Sequence, residues 1–343
     1  MTLTLEDIAK FSGVSRSTVS RVINGDEKVS EETRQRVLNI IQQYNFQPNM
    51  AARRLAAGRT NVIGLVIPTD GGNIFNDPYF SSLIQGVSAQ CNHREYSVML
   101  WLAEPEFEHR MVSQIVSNGM VDGVVVSSTL IDEPIVLSLQ NSMMPFVLIG
   151  HRPAIQASSV DIDNLLAAYQ ATSHLINCSS PRKRIATIAG PQNTIAGHDR
   201  LKGYNLALQE NGITIDNTLV IVGNFSEASG YSAMQQLLPT RPDAVFVASD
   251  LMAAGAYRAI REAGLSIPGD IAIVGFDDLP IATQMDPPLS TIHQPIQRIG
   301  EQAVQLLINQ LQHEESKPTH LIIQPELILR ASCGCTNLAN NSA

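Results

Sequence analysis

The chain has 343 residues, 44% of them hydrophobic and 16% charged, and a net charge of −9. That is an ordinary globular composition at a length that holds two or three compact domains, since single cores stop growing well before this size. The apolar runs, such as Val62–Ile67 and Ser97–Leu102, are six residues long, against roughly 20 for a helix that crosses a bilayer, which excludes a membrane span.

The first residues, Met1-Thr2-Leu3-Thr4-Leu5-Glu6-Asp7, lack the basic start and long apolar stretch of a secretory signal, which predicts a cytoplasmic protein. Cys91, Cys178, Cys333 and Cys335 show no pairing pattern of a secreted disulfide scaffold and suit a reducing compartment. Cys333 and Cys335 form one close pair, but two further metal ligands at suitable spacing are missing, and His320 is the only histidine within fifteen residues. Terminal packing is expected there, with no metal and no cofactor. Charge is unevenly spread: residues 1–60 carry +3, leaving −12 on the remainder. A basic head on an acidic body lets the head meet phosphates while the body is repelled from them.

Thr4 can cap a helix running to about Phe11, with Asp7 completing a capping box and Gly13 ending the helix. Ser15 can cap a second, from Arg16 to about Asn24. Its Val19, Val22 and Ile23 fall on a buried stripe while Arg16, Ser17, Ser20 and Arg21 point elsewhere. Two short helices joined by a tight turn make a helix-turn-helix. Ser30 can cap a third helix through Val37, Leu38 and Ile41, with Glu31 and Glu32 set against its N-terminal dipole, to close a three-helix core. From Pro48 a run of helix formers, ended by Gly58, covers only about two turns, too short to persist in water without a partner.

Together Leu5-Glu6-Asp7-Ile8-Ala9-Lys10, Gly13-Val14-Ser15, Thr18-Val19-Ser20-Arg21-Val22-Ile23-Asn24, Pro48-Asn49, Ala52-Arg53 and Leu55 resemble, in order and spacing, the headpiece of lactose-repressor-type (LacI/GalR family) regulators. The resemblance continues to about Gly334. It implies that the second helix enters the major groove, with Arg16, Ser17 and Arg21 at base edges and Thr18, Ser20 and Asn24 on phosphates. Arginine can grip guanine O6 and N7 with two bonds; the alternative for Arg16 and Arg21 is a solvated helix face. The short helix, with Asn49, Arg53, Leu55 and Ala56, would pair across a dimer in the minor groove, Leu55 unstacking a base step. The alternative for Leu55 is packing on the protein's own body.

From Val62 onward β-branched runs alternate with helical patterns: Val62–Ile67, Ser97–Leu102, Gly123–Ser127, Phe146–Ile149, Ile185–Ala189, 244–248 and 271–276. Such alternation predicts parallel sheets covered by helices, and the helix-rich stretch 164–178 parts the strands into two groups, hence two lobes with a cleft. The fold class is α/β: a helix-turn-helix headpiece over 1–48, a hinge helix and linker over 49–60, a two-lobed body over 61–334, and a polar tail over 335–343. The body resembles periplasmic-binding-protein-like folds. That implies crossings between lobes near Asp161, near Thr291-Ile292-His293-Gln294-Pro295 and near Gln324. Lobe 1 is then about 61–161 and 292–324, lobe 2 about 162–291 and 325–334. The tail has no heptad pattern, so a dimer is expected and not a coiled-coil tetramer.

Open α/β sheets bind ligands outside the carboxyl ends of their strands. The residues there are Asp77-Pro78-Tyr79-Phe80, Gly150-His151-Arg152, His198-Asp199-Arg200, Phe225, Ser249-Asp250 and Phe276-Asp277-Asp278. Family resemblance implies effector-contacting positions for Arg200, Phe225, Asp250 and Asp277, and for Tyr79 and Phe80; Asp77 and Arg152 complete the set. Carboxylates accept hydroxyl hydrogens, arginine donates to oxygens and a ring covers an apolar sugar face, so a neutral sugar is the leading effector. Alternatives stand beside these roles: helix caps for Asp250 and Asp277, lobe core for Phe225, a structural ion pair for Arg200. His151 is read as structural.

No phosphate-cradling Gly-x-x-x-x-Gly-Lys, no Gly-x-Ser-x-Gly elbow and no clustered histidine site points to an enzyme. The expectation is a homodimeric repressor on a pseudo-palindromic double-stranded DNA operator, controlled by a small-molecule effector. A phosphorylated metabolite, a nucleobase or a protein corepressor is the alternative effector. A solute-binding receptor without DNA function is the alternative from another class, against which the added headpiece argues.

Overall fold

The computed structural model describes residues 3–23, 25–26, 28–46, 59–68, 71–102, 115, 119–127, 130–131, 134–150, 155–178, 182–312 and 317–335, in two units, 1–60 and 61–343. In the first unit, side-chain caps set where the helices begin. Thr4 accepts the Asp7 amide at 3.3 Å and donates its own amide to the Asp7 carboxylate at 2.9 Å, so α1 (Leu5–Ser12) starts with a closed capping box. Gly13 ends it at φ +66°, a left-handed turn that a glycine adopts without strain. Ser15 accepts the Thr18 amide at 3.2 Å ahead of α2 (Arg16–Ile23), and Ser30 accepts the Thr33 amide at 3.4 Å ahead of α3 (Glu31–Gln43). Ile8, Val19 and Val37 close the core between the three helices. Leu38, expected on that stripe, is instead 41% exposed. It lies about 100° around the helix from Val37, off the seam that Val37 and Ile41 share.

Among its described residues the second unit holds two six-stranded sheets. The first combines β1 (Val62–Ile67), β2 (Ser97–Leu102), β3 (Gly123–Ser127), β4 (Phe146–Ile149), β5 (Ser158–Ile162) and β11 (His320–Ile323), in the order β11-β5-β4-β3-β1-β2, all parallel. The second combines β6 (Ile185–Ala189), β7 (Val220–Val222), β8 (Ala244–Val247), β9 (Ala272–Asp277), β10 (Ser290–His293) and β12 (Glu326–Ile328), in the order β12-β10-β9-β8-β6-β7, with only β12 antiparallel. Central strands such as β3 and β8 are buried along their whole length, as parallel strands covered on both faces must be.

The covering helices are α4 (Gly71–Asn76), α5 (Pro78–His93), α6 (Pro134–Gln140), α7 (Asn164–Asn177), α8 (Ile195–Glu210), α9 (Glu227–Leu237), α10 (Asp250–Glu262), α11 (Pro280–Gln284) and α12 (Ile296–Gln312). One apolar cluster runs through both lobes, taking in α5 and α12 on the first sheet and α7 and α8 on the second. The opposite faces are covered by α6 on the first sheet and by α9 and α10 on the second. The chain passes between lobes after β5, after β10 and between β11 and β12. β10 stays in the second sheet to His293, so the second passage follows that residue.

The cysteines depart from the expectation of terminal packing alone. Cys178, which caps the C-terminus of α7, is joined to Cys335 by a disulfide across 157 residues of sequence, while Cys91 and Cys333 are free and buried. Spacing along the chain could not reveal a partner that only the fold brings near. Among the described residues no helix is long and apolar enough to cross a membrane.

Helices α7 and α8 meet at backbone contact. A Cβ on Gly203 would stand 2.2 Å from the Leu165 carbonyl oxygen and 2.8 Å from the Tyr169 amide nitrogen. Gly203→Ala is expected to push the helices apart and cost about 1–3 kcal/mol, read as a lower urea midpoint for the body; an unchanged midpoint contradicts this packing.

Candidate functional site

On α2 the burial of Val19 and Val22 decides what faces solvent. Arg16, Ser17 and Arg21 are exposed, and Thr18 and Ser20 are half-buried. Ser15 Oγ ties the start of the helix to the hydroxyls of Ser17 and Thr18 at 2.7 and 2.8 Å. Arg16 Nη1 lies 3.0 Å from Glu6 Oε1, and Arg21 Nε lies 3.8 Å from Asp26 Oδ2. Exposed pairs of this kind are weak and screened by salt, so phosphates or guanine edges can displace the carboxylates. The five residues thus share one polar face of a short helix. Asn24, Asn49, Arg53, Leu55 and Ala56 lie outside the described residues, as do His151 and Arg152.

In the body, a cavity of about 530 Å³ opens at the carboxyl ends of both sheets. From lobe 1 it takes Asp77, Tyr79, Phe80 and Asp161; from lobe 2 it takes Arg200, Phe225, Asp277 and Gln294. Asn164, Asn193 and Asn224 add amides to its wall. The lobes touch at its edge, where the Ile131 amide donates to the Asn193 carbonyl at 2.8 Å.

Arg200 lies at the centre of this wall and is only 5% exposed. Its Nε donates to Asn164 Oδ1 at 2.9 Å, its Nη1 donates to the Ala248 carbonyl at 2.7 Å, and the same Nη1 stands 3.5 Å from Asp277 Oδ1. The guanidinium also stacks 3.5 Å above the centre of the Phe276 ring. Burial pulls its proton affinity down while the Asp277 carboxylate acts the other way. Asp277 accepts a 2.6 Å bond from Gln294 Nε2, and burial pushes its carboxyl up to about 7 against the pull of Arg200. Burial likewise raises Asp77, whose Oδ1 accepts the Tyr79 amide at 2.9 Å to start α5.

Asp277 and Asp278 both have positive φ, +109° and +58°. Such conformations cost of the order of 1–3 kcal/mol each and persist only where surroundings hold them. Here Gln294 and Arg200 hold Asp277, while Arg330 at 2.6 Å and His293 at 3.0 Å hold Asp278. Phe225, at φ +67°, lays its ring against Gly190, where a Cβ would come within 2.4 Å of the ring edge. Tyr79 and Phe80 meet edge to face at 5.4 Å on the other wall.

Asp250, expected to contact the effector, lies behind the cavity wall. It is fully buried as the first residue of α10, its Oδ1 accepting the Thr291 hydroxyl at 2.6 Å and its Oδ2 the Leu279 amide at 2.8 Å. Nor does it cap that helix, since Ser249 Oγ accepts the Met252 amide. The structure also adds residues that sequence reasoning passed over: Asn164, Asn193 and Asn224, and it turns Asp161 and Gln294 from crossing markers into wall residues. Asp161 and Asn224 follow the rule of strand ends, but on β5 and β7, strands too short or mixed to be read from the sequence.

The raised carboxyl of Asp277 fixes the sign of a pH effect. The folded protein keeps that proton up to about pH 7 whereas an unfolded chain releases it near pH 4, so this stability is present at low pH and lost as pH rises through about 7. The ligand-free melting temperature is expected to fall between about pH 5 and about pH 8, with Asp277→Asn flattening the decline; an equal decline in that variant contradicts the assignment.

Residues 4–49 match the bacterial regulatory proteins of the lacI family, and residues 173–333 match the periplasmic binding protein-like domain. The HTH-type transcriptional regulator CelR of Thermobifida fusca is 38% identical over 334 residues, 96% of this chain and 98% of that protein. The ribose operon repressor of Escherichia coli (strain K12) is 36% identical over 335 residues, 96% of this chain and 99% of its own. Among solved structures, the complex of CelR with cellobiose superposes with a TM-score of 0.76 at 36% identity, covering 96% of this chain and 99% of that one. The lac repressor dimer bound to operator and the anti-inducer ONPF gives a TM-score of 0.86 at 26% identity, covering 97% and 99%. With a headpiece and a two-lobed body both matched along nearly its whole length, the chain belongs to the LacI family of DNA-binding transcription regulators.

Proposed function

We propose that this regulator is a cytoplasmic repressor whose operator affinity is set by a neutral polyhydroxylated ligand, a sugar, held between the two lobes. The observation that carries this reading is the charge of the cavity wall. Among the described residues it presents the carboxyl groups of Asp77, Asp161 and Asp277 against the single guanidinium of Arg200. A phosphorylated or carboxylated ligand would find among these carboxyl groups one described guanidinium, already bonded to Asn164 and the Ala248 carbonyl, whereas sugar hydroxyls can bond to the carboxyl groups in either protonation state and accept from Arg200 and the amides. Phe225, Tyr79 and Phe80 supply aromatic faces for the apolar side of a sugar ring. The relative solved with cellobiose supports the same class.

In this reading residues 1–48 are the headpiece, 49–60 the hinge and 61–334 the effector-binding and dimerisation body. Arg16, Ser17 and Arg21 read bases in the major groove, Thr18, Ser20 and Asn24 hold phosphates, and Asn49, Arg53, Leu55 and Ala56 serve the minor groove. A homodimer places two headpieces on a pseudo-palindromic operator, the arrangement of the lac repressor dimer on its operator. Asp77, Tyr79, Phe80, Arg152, Arg200, Phe225 and Asp277 contact the effector.

A thermal-shift panel of neutral mono- and disaccharides, nucleosides and sugar phosphates tests the ligand class, because a ligand bound only by the folded state raises the melting temperature. A saturable shift with neutral sugars is expected; shifts confined to phosphorylated compounds contradict the reading. On the DNA side, Arg21→Ala is expected to weaken binding to a selected operator by about 1–3 kcal/mol, roughly 5- to 150-fold, without altering the sugar-induced shift. Equal operator affinity would remove Arg21 from the reading face.

A further inference from the structure

The disulfide that joins α7 to the C-terminal segment has a third member. His174 and Cys178 are four residues apart at the end of α7, a spacing that sets two side chains on one helical face. The chain returns 157 residues later and sets Cys335 against both. His174 Nε2 lies 3.1 Å from Cys335 Sγ, and the donor atoms of all three residues lie within 4.8 Å of one another. Cys178 is buried, and His174 and Cys335 are half-buried. Cys333, the near neighbour in sequence, turns its thiol to the Arg330 carbonyl instead.

We propose that, once the disulfide is reduced, His174, Cys178 and Cys335 bind one zinc ion. Zinc takes thiolate at about 2.3 Å and imidazole at about 2.0–2.1 Å, which puts the donors of a tetrahedral site roughly 3.3–3.8 Å apart. The three donors are already gathered within 4.8 Å, and the two sulfurs, freed of their bond, have to part to that spacing. Two sulfurs and an imidazole are soft to borderline donors, a set that selects zinc over magnesium or calcium. Among the described residues three ligands are gathered, and water takes the fourth tetrahedral position.

The disulfide and the metal site exclude each other, because the same two sulfurs serve both. Thiol–disulfide exchange with a cellular dithiol transfers two electrons to the pair, leaving the reductant as its own disulfide and Cys178 and Cys335 as thiols. Zinc binding then releases the two thiol protons. Cytosolic thiols keep most cysteine pairs reduced, so the location proposed above favours the metal form in the cell. The chemistry is tested in vitro and does not depend on that location or on the ligand of the cleft. Sequence spacing argued against a metal because two of the three ligands lie more than 150 residues from Cys335.

The full-length protein, reduced with a phosphine and freed of metal, is titrated anaerobically with cobalt(II) and then zinc(II). One cobalt per chain is expected, with a thiolate-to-cobalt charge-transfer band in the near ultraviolet, tetrahedral visible bands, and loss of both as zinc displaces it. Cys335→Ser is expected to lose stoichiometric binding while keeping the circular dichroism spectrum and cooperative thermal unfolding of the reduced wild type, which shows that the body still folds. His174→Gln is expected to keep a weakened charge-transfer band and lose the tetrahedral visible pattern. The proposal is overturned if the reduced wild type binds no stoichiometric cobalt, if both variants bind it as the wild type does, or if mass spectrometry shows that the disulfide survives reduction.

Discussion

The cleft depends on one buried positive charge. With 5% of its surface exposed, Arg200 has lost nearly all hydration, and an isolated charge in such a place costs several kcal/mol. It is tolerated because its partners come from every side: an amide at the start of α7, a carbonyl at the end of β8, a carboxylate at the end of β9 and a ring beneath it. Two of those partners hold the passages between lobes. Asn164 begins the helix that follows β5, and Asp277 takes its shortest bond from Gln294, just past β10. Two of the three passages between lobes are therefore tied to the Arg200–Asp277 contact. A ligand that bonds to Arg200 or Asp277 competes for groups that position them, which is a physical route from cleft occupancy to lobe geometry.

Asp250 extends the same frame. Its two oxygens join β10, through Thr291, to the loop after β9, through Leu279. Burial and the neighbouring Asp277 raise its proton affinity well above that of an exposed carboxyl. Gly275 completes the fit, since a Cβ there would stand 2.4 Å from Asp250 Oδ1. Asp250 is thus a structural joint behind the cleft wall, and the backbone at Asp277 and Asp278 that follows β9 is strained.

Much of this was legible in the sequence, for reasons that separate local from non-local physics. Thr4, Asp7 and Gly13 set the first helix through contacts within one turn, so their pattern reads directly. Six of the seven strand runs read directly too, because a parallel strand covered on both faces is apolar nearly throughout; the seventh, β2, is a half-exposed edge strand that reads from its apolar run alone. What escaped reading depends on distant neighbours. β11 and β12 are short, with exposed positions, and exist as strands by pairing with β5 and β10. Asn164, Asn193 and Asn224 look like ordinary polar loop or helix residues until two lobes converge on them. Cys178 and Cys335 carry no local signal of each other.

A LacI-family regulator must convert binding in the body into a different affinity at the headpiece, and that coupling is reciprocal. The measurement that tests it most directly is a calorimetric titration of the full-length protein with the sugar that raises its melting temperature, performed with and without a saturating selected operator. The sugar dissociation constant is expected to differ between the two by about 5- to 150-fold, corresponding to a coupling of about 1–3 kcal/mol. The operator dissociation constant should change by the same factor when sugar is added first. Identical sugar affinity in both titrations would contradict the account, because a ligand that binds both states equally well shifts nothing.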